Sequence, residues 1–194
     1  MCNRLLLALF LVVAAAQLFV PAKMIWDKEQ VFHQGKPFKF KAEPIDPYDP
    51  LRGKYITLSF ERQRIKISQD DNWRHYQDVY AVLSEDSNGY ARVTSILNSA
   101  PEYTQDYVLA KIDYVSAGKP RFAYIDFPFT RFYMEESKAQ EAEWIYREAT
   151  RDTTSVTYAL VHIQNGDYAL KDVYIDSVSI SKLVLRGREE VQEE

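Results

Sequence analysis

The sequence predicts a mainly β (α+β) protein: an antiparallel, barrel-like sheet domain with one amphipathic helix at residues 137–149, behind an N-terminal transmembrane helix. Three observations carry that expectation. Apolar residues run almost unbroken from Leu5 to Val20. Short runs of period two recur from Phe38 to Ile175 with turn residues between them. One later stretch places its apolar residues at helical spacing. The chain has 14 Tyr and 10 Phe in 194 residues, side chains that suit a pleated, half-buried surface.

The leader admits two readings. The basic start at Arg4, the apolar run and the small residues Ala14, Ala15 and Ala16 fit a cleavable secretory signal. Alternatively the helix continues through Met24, Ile25 and Trp26, reaching the ~20 residues that cross a bilayer, with Lys23 snorkelling and Trp26 at the interface. The uncleaved anchor is favoured because the apolar pattern outruns the small-residue site. The domain expectation is an anchor over 1–26, a β-rich body over 27–185 and a charged tail over 186–194. Either reading sends the body out of the cytoplasm.

Within the body, Gln30 to Ala42 reads as a hairpin turning at Gln34-Gly35-Lys36-Pro37. Pro44, Pro47 and Pro50 then stiffen a loop, Gly53 hinges it, and Ile56, Leu58 and Phe60 alternate with Tyr55, Thr57 and Ser59 as a strand. The apolar parity changes at Ile65 and Ile67, so a bulge or break belongs between Glu61 and Arg64. After a turn at Asp70-Asp71-Asn72, hairpins follow around Glu85–Gly89, around Ala117-Gly118-Lys119-Pro120 and around Asn165-Gly166-Asp167. Ser137-Lys138-Ala139-Gln140 has the form of a capping box, and Ala142, Ile145, Tyr146 and Ala149 share a helical face, with Glu143 and Arg147 spaced for an i,i+4 pair. The helix is expected to stop near Thr150–Thr154. A last strand is expected near Val178–Leu185.

A net charge of −4 argues against a nucleic-acid binder, which gains affinity by neutralising phosphates with Lys and Arg. The single cysteine, Cys2, leaves no internal disulfide, so packing alone stabilises the body.

Gly53-Lys54-Tyr55-Ile56-Thr57-Leu58-Ser59-Phe60, preceded by Asp46-Pro47-Tyr48-Asp49-Pro50-Leu51-Arg52, resembles the naming motif of the GDYXXLXY family of bacterial membrane-anchored proteins. Arg131-Phe132-Tyr133-Met134-Glu135-Glu136, the Ala/Glu-rich helix after it, the leader ending in Val20-Pro21 and Val173-Tyr174-Ile175-Asp176 extend the likeness over nearly the full chain. Lys54 stands where the motif has Asp, and Phe60 where it has Tyr. The resemblance implies a single-pass protein of the bacterial inner membrane with its body on the extracytoplasmic, periplasmic side, associated with a polytopic membrane protein. It implies no activity.

The candidate recognition motif is Asp46, Asp49, Arg52, Gly53, Tyr55, Leu58, Arg131, Glu135 and Glu136. Asp46 and Asp49 have the chemistry of hard-cation ligands, but calcium loops crowd more carboxylates together. Capping of the turn or pairing with Arg52 is the favoured reading, and no metal or other cofactor is expected. Arg52 and Arg131 suit a shared anion site, but structural pairs with Glu135 and Glu136 that join the loop to the helix are the favoured reading. Lys36, Lys39, Lys41, Lys54, Arg62, Arg64 and Lys66 make the early half basic, as an anionic-lipid face or a solvated sheet surface. A membrane-tethered hydrolase of Ser/Lys type is the competing class. Ser59 and Ser68 lack a nucleophile-like setting, and His33, His75 and His162 show no zinc spacing, so a non-catalytic module is expected.

Overall fold

The computed structural model describes residues 2–44, 55–152 and 154–192. It is mainly antiparallel β with three helices, in the order α1 (Cys2–Gln34), β1 (Lys36–Lys41), β2 (Tyr55–Thr57), β3 (Gln63–Ile67), β4 (Asp78–Glu85), β5 (Ala91–Leu97), β6 (Tyr107–Val115), β7 (Arg121–Asp126), β8 (Arg131–Tyr133), α2 (Glu136–Arg151), β9 (Thr157–Gln164), β10 (Asp167–Ile175), β11 (Val178–Ser179) and α3 (Ile180–Gln192).

Three of the four expected hairpins form, β4–β5, β6–β7 and β9–β10. The clearest is β9–β10, where Asn165 and Gly166 have φ of 52° and 87°, the two left-handed residues of a tight turn that matches strand twist. A five-stranded sheet, ordered β3-β7-β6-β4-β5, curls until its terminal strands β3 and β5 lie alongside each other without pairing. A four-stranded sheet, β1-β9-β10-β11, and the short pair β2-β8 complete the near-barrel. Bridges between Val108 and Gly166 and between Ala42 and Phe60 tie these pieces together. The change of parity after Phe60 is a full break: β2 pairs with β8, and β3 restarts in another sheet on β7.

One core runs through all of this. Phe38, Val161, Ile163 and Val173 meet Val79, Val108, Ile112 and Ile125, all buried. Phe40, Phe60, Phe127 and Phe129 pack ring to ring at its centre, with centroids 4.7 to 6.4 Å apart. Helix α2 covers the sheet with Ala139, Ala142 and Tyr146. The hydroxyl of Tyr146 is buried without a hydrogen-bond partner, beside the Ser59 backbone, and burial pushes its pKa up. An unpaired buried hydroxyl costs about 1–3 kcal/mol, so Tyr146→Phe is expected to keep or raise the melting temperature. A loss above about 1 kcal/mol would instead show that the hydroxyl is bonded in solution.

Three local expectations are corrected. Residues 30–34 belong to α1 rather than to a hairpin, and β1 takes β9 as its partner, Phe38 opposite Val161. Glu135, not a serine, stands at the N-cap of α2 and makes no side-chain cap; Ser137 lies inside the first turn and donates to Glu135 Oε1 at 2.9 Å. The final segment is β11 followed by α3, because Ile180 and Val184, four residues apart, are both fully buried on one helical face.

Helix α1 leaves the body as an apolar rod. Leu6, Phe10, Val13, Leu18, Phe19, Val20, Met24 and Ile25 are all exposed, and the residues lie on every side of the helix. Leu9–Gln34 is long and apolar enough to cross a membrane, the single such helix among the described residues, with the length and position that a signal sequence shares. Its last turns are built into the body. Val31 is buried, Phe32 stacks on His162 with centroids 5.7 Å apart, and Lys28 Nζ donates to Asp167 Oδ1 at 2.9 Å. Gly35 ends the helix where a Cβ would stand 2.4 Å from the Val31 carbonyl oxygen and 3.1 Å from Ile163 N.

His162 sits in this joint with its Nδ1 buried and unpartnered, and its pKa is lowered by burial and then by the Lys171 charge. The unfolded chain therefore binds the proton more readily, so this contribution to stability is present above the ordinary histidine pKa and lost as pH falls through the lowered one. Melting of the wild-type chain is expected to drop on going from pH 7.5 to 5.5. His162→Gln is expected to flatten that dependence.

Candidate functional site

The motif strand reaches the surface through its pairing with β8. Tyr55 lies opposite Tyr133, Ile56 opposite Phe132 and Thr57 opposite Arg131. Strand alternation sends Ile56 and Phe132 inward, where both are buried, and leaves the tyrosines outside. The two tyrosine rings stand 5.4 Å apart, and the Arg131 guanidinium lies 5.0 Å from the Tyr55 ring centre. Leu58 continues the strand inward, fully packed, and its N–H donates to the Thr130 carbonyl at 2.8 Å.

Behind β8 opens a groove of about 510 Å³, lined by Lys28, Phe129, Arg131, Tyr133, Tyr168 and Leu170. Lys28 comes from α1, two residues past Trp26, and its ammonium lies 4.8 Å above the Tyr168 ring. The Tyr168 hydroxyl donates to the Pro128 carbonyl at 3.3 Å. Phe129 closes the floor, and Tyr133 stands 64% exposed at the rim. Aromatic faces with cations held over them form a surface that binds flat apolar or anionic groups.

Of the predicted site residues, the fold brings Tyr55, Leu58 and Arg131 together. Asp46, Asp49, Arg52 and Gly53 lie outside the described residues, and with them the expected contact between the Pro-rich loop and the segment 131–136. Glu135 accepts from Ser137 and pairs with Lys138 Nζ at 2.6 Å, while Glu136 is the first residue of α2. Arg131 is engaged by the Tyr55 ring.

The hydrolase candidates are placed as follows. Ser59 follows β2, and its carbonyl accepts from Glu43 N at 2.9 Å. Ser68 N–H donates to Asp71 Oδ2 at 2.8 Å in a turn. His75 lies against Tyr76, whereas His33 and His162 meet at the α1 joint on either side of Phe32. Among the described residues no group of three or more His, Cys, Asp or Glu is placed to hold a metal ion.

The basic set divides between two sheets. On β1, Lys36 pairs with Asp106 at 2.9 Å, Lys39 lies 5.3 Å over the Tyr158 ring and Lys41 is 4.0 Å from Glu61. Arg62, Arg64 and Lys66 point outward at β3. Lys28 and Tyr168 were missed as groove residues because only the docking of α1 on β10 joins positions 140 apart in the chain.

No curated protein and no solved structure matches the chain. The family model described as GDYXXLXY protein matches residues 17–173, which take in the second half of α1, the motif strand, the groove and most of β10. That span covers most of the chain, and the protein belongs to the GDYXXLXY family.

Proposed function

We propose that this protein is a membrane-anchored, extracytoplasmic, non-catalytic module that recognises or assembles with a polytopic membrane protein through the groove behind β8. The observation that carries the reading is the unbroken passage of α1 from its apolar stretch into the body. Val31, Phe32 and Gly35 fix the helix to β9 and β10 with no linker between. With a rise of 1.5 Å per residue, Lys28 stands ~3 Å along the axis from Trp26, so the groove opens at the level where an interfacial tryptophan sits.

A rigid mount of this kind confines the groove to the plane of the bilayer and raises its effective concentration toward membrane neighbours. Tyr133 at the rim supplies an aromatic anchor of the type enriched at binding hot spots. A photocrosslinking amino acid at position 133, in intact membranes, is expected to capture a multi-spanning protein. The same crosslinker at Ser87, on the β4–β5 turn, is expected to capture far less. Equal capture at both positions, or turnover of peptide or ester substrates by the purified chain, would overturn the reading.

A further inference from the structure

Helix α1 carries one polar side chain in its apolar stretch. From Leu5 to Val20 that residue is Gln17, which is exposed, and Pro21 stands four residues later inside the same helix. Proline has no N–H, so the Gln17 carbonyl loses the donor that an α-helix ordinarily supplies from four residues on. One position therefore presents both a side-chain amide and a backbone acceptor stripped of its regular partner. With Trp26 at the membrane surface, nine residues of helical rise set Gln17 ~13 Å deeper, close to the middle of a hydrocarbon layer ~30 Å thick. Water is absent at that depth, and polar groups there are satisfied by a neighbouring helix.

The body fixes the direction of this face. Lys28 and Val31 follow Gln17 by 11 and 14 residues. At 3.6 residues per turn both return to within about 40° of the same side of α1. Val31 is buried against the body, and Lys28 reaches Asp167 and the Tyr168 ring at the groove behind β8. Gln17 thus faces the space beneath the body, on the groove side. Phe10, Val13 and Met24 flank it, whereas Ala15, Phe19 and Trp26 face the opposite way. A second copy of the chain does not fit there. Because α1 enters the body with no linker, the two bodies of a parallel pair through this face would claim the same space above the helices.

We propose that the Gln17 face of α1 docks a transmembrane helix of the multi-spanning partner, one carrying an Asn, Gln, Ser or Thr side chain at mid-bilayer depth. That side chain donates to the Gln17 carbonyl and bonds the Gln17 amide, groups that lipid tails leave unsatisfied. The contact presupposes the anchored reading above and adds a second level, inside the bilayer, at which the same partner is held.

A photocrosslinking amino acid placed singly at positions 13, 24, 15 and 19 of the full chain, in intact membranes, reads the contact. Positions 13 and 24 are expected to capture the multi-spanning protein that position 133 captures, and positions 15 and 19 far less of it. Gln17→Leu, which keeps the span apolar, is expected to weaken capture at position 24 by about fivefold or more, and Gln17→Asn to recover part of the loss. Pro21→Ala, which returns an N–H to the Gln17 carbonyl, is expected to weaken capture in the same direction. Equal or absent capture on the two faces, capture at position 24 indifferent to Gln17→Leu, or capture of a second copy of the chain would overturn the helix contact. If the chain stays in carbonate-washed membranes and position 133 still captures its partner, the anchored reading survives that failure. A chain released by carbonate would overturn both.

Discussion

Phe129→Ala is expected to cost about 3–5 kcal/mol of stability, the range for truncating a fully packed phenylalanine. Phe129 is 2% exposed and touches the rings of Phe40, Phe60, Phe127 and Tyr168, with centroids 4.7 to 5.3 Å apart. These neighbours come from β1, the segment after β2, the segment after β7, and β10, so the cavity forms where the separate sheets are held together. Because the same ring floors the groove behind β8, the substitution is expected to weaken both melting stability and crosslinking at position 133. Phe129→Leu, which keeps more of the volume, is expected to recover much of both. Chemical denaturation of the detergent-solubilised chain gives the first readout. A loss below about 1 kcal/mol would show that the sheets are held together elsewhere.

Gly35→Val is expected to have the second large effect, about 1–3 kcal/mol from forced overpacking. The added Cβ would meet backbone on both sides, the Val31 carbonyl at 2.4 Å and Ile163 N at 3.1 Å, and a backbone cannot swing away as a flexible side chain does. The relief available is for α1 to lift off β9, which would separate Phe32 from His162 and Lys28 from Asp167. The distance between spin labels on α1 and on β10 is therefore expected to lengthen and broaden. Unchanged distances with unchanged melting would show that the joint tolerates a side chain there.

Local chemistry made much of this fold legible. Asn165-Gly166 announces its hairpin because few other pairs sit comfortably at two successive positive φ values. Likewise, Ala142 and Tyr146 mark the buried face of α2 by their spacing. The errors arose where a local signal fitted more than one structure. Gln34-Gly35-Lys36-Pro37 has turn chemistry and Phe38, Phe40 and Ala42 alternate after it, which suggests a hairpin, yet the helix that arrives from the apolar leader carries through to Gln34. Val178 and Ile180 also alternate, but Ile180 and Val184 find a common helical pocket against the body, and that packing decides.

The site was legible only in part. Tyr55, Leu58 and Arg131 were marked by the motif and by the likeness around it, and the fold brings them together. Lys28 and Tyr168 gave no local signal, since the groove they line joins β8 to α1 across a long stretch of chain. Pairings of that kind are set by sheet order, which no short window of sequence encodes.

The central claim is that α1 holds the body on the far side of a membrane. Its most direct measurement is labelling of Ser87→Cys, on an exposed turn, in a Cys2→Ser background, with a membrane-impermeant maleimide on intact spheroplasts. The account predicts full labelling before lysis and recovery of the labelled chain with carbonate-washed membranes. Labelling that requires lysis, with the chain recovered in the soluble fraction, would contradict it.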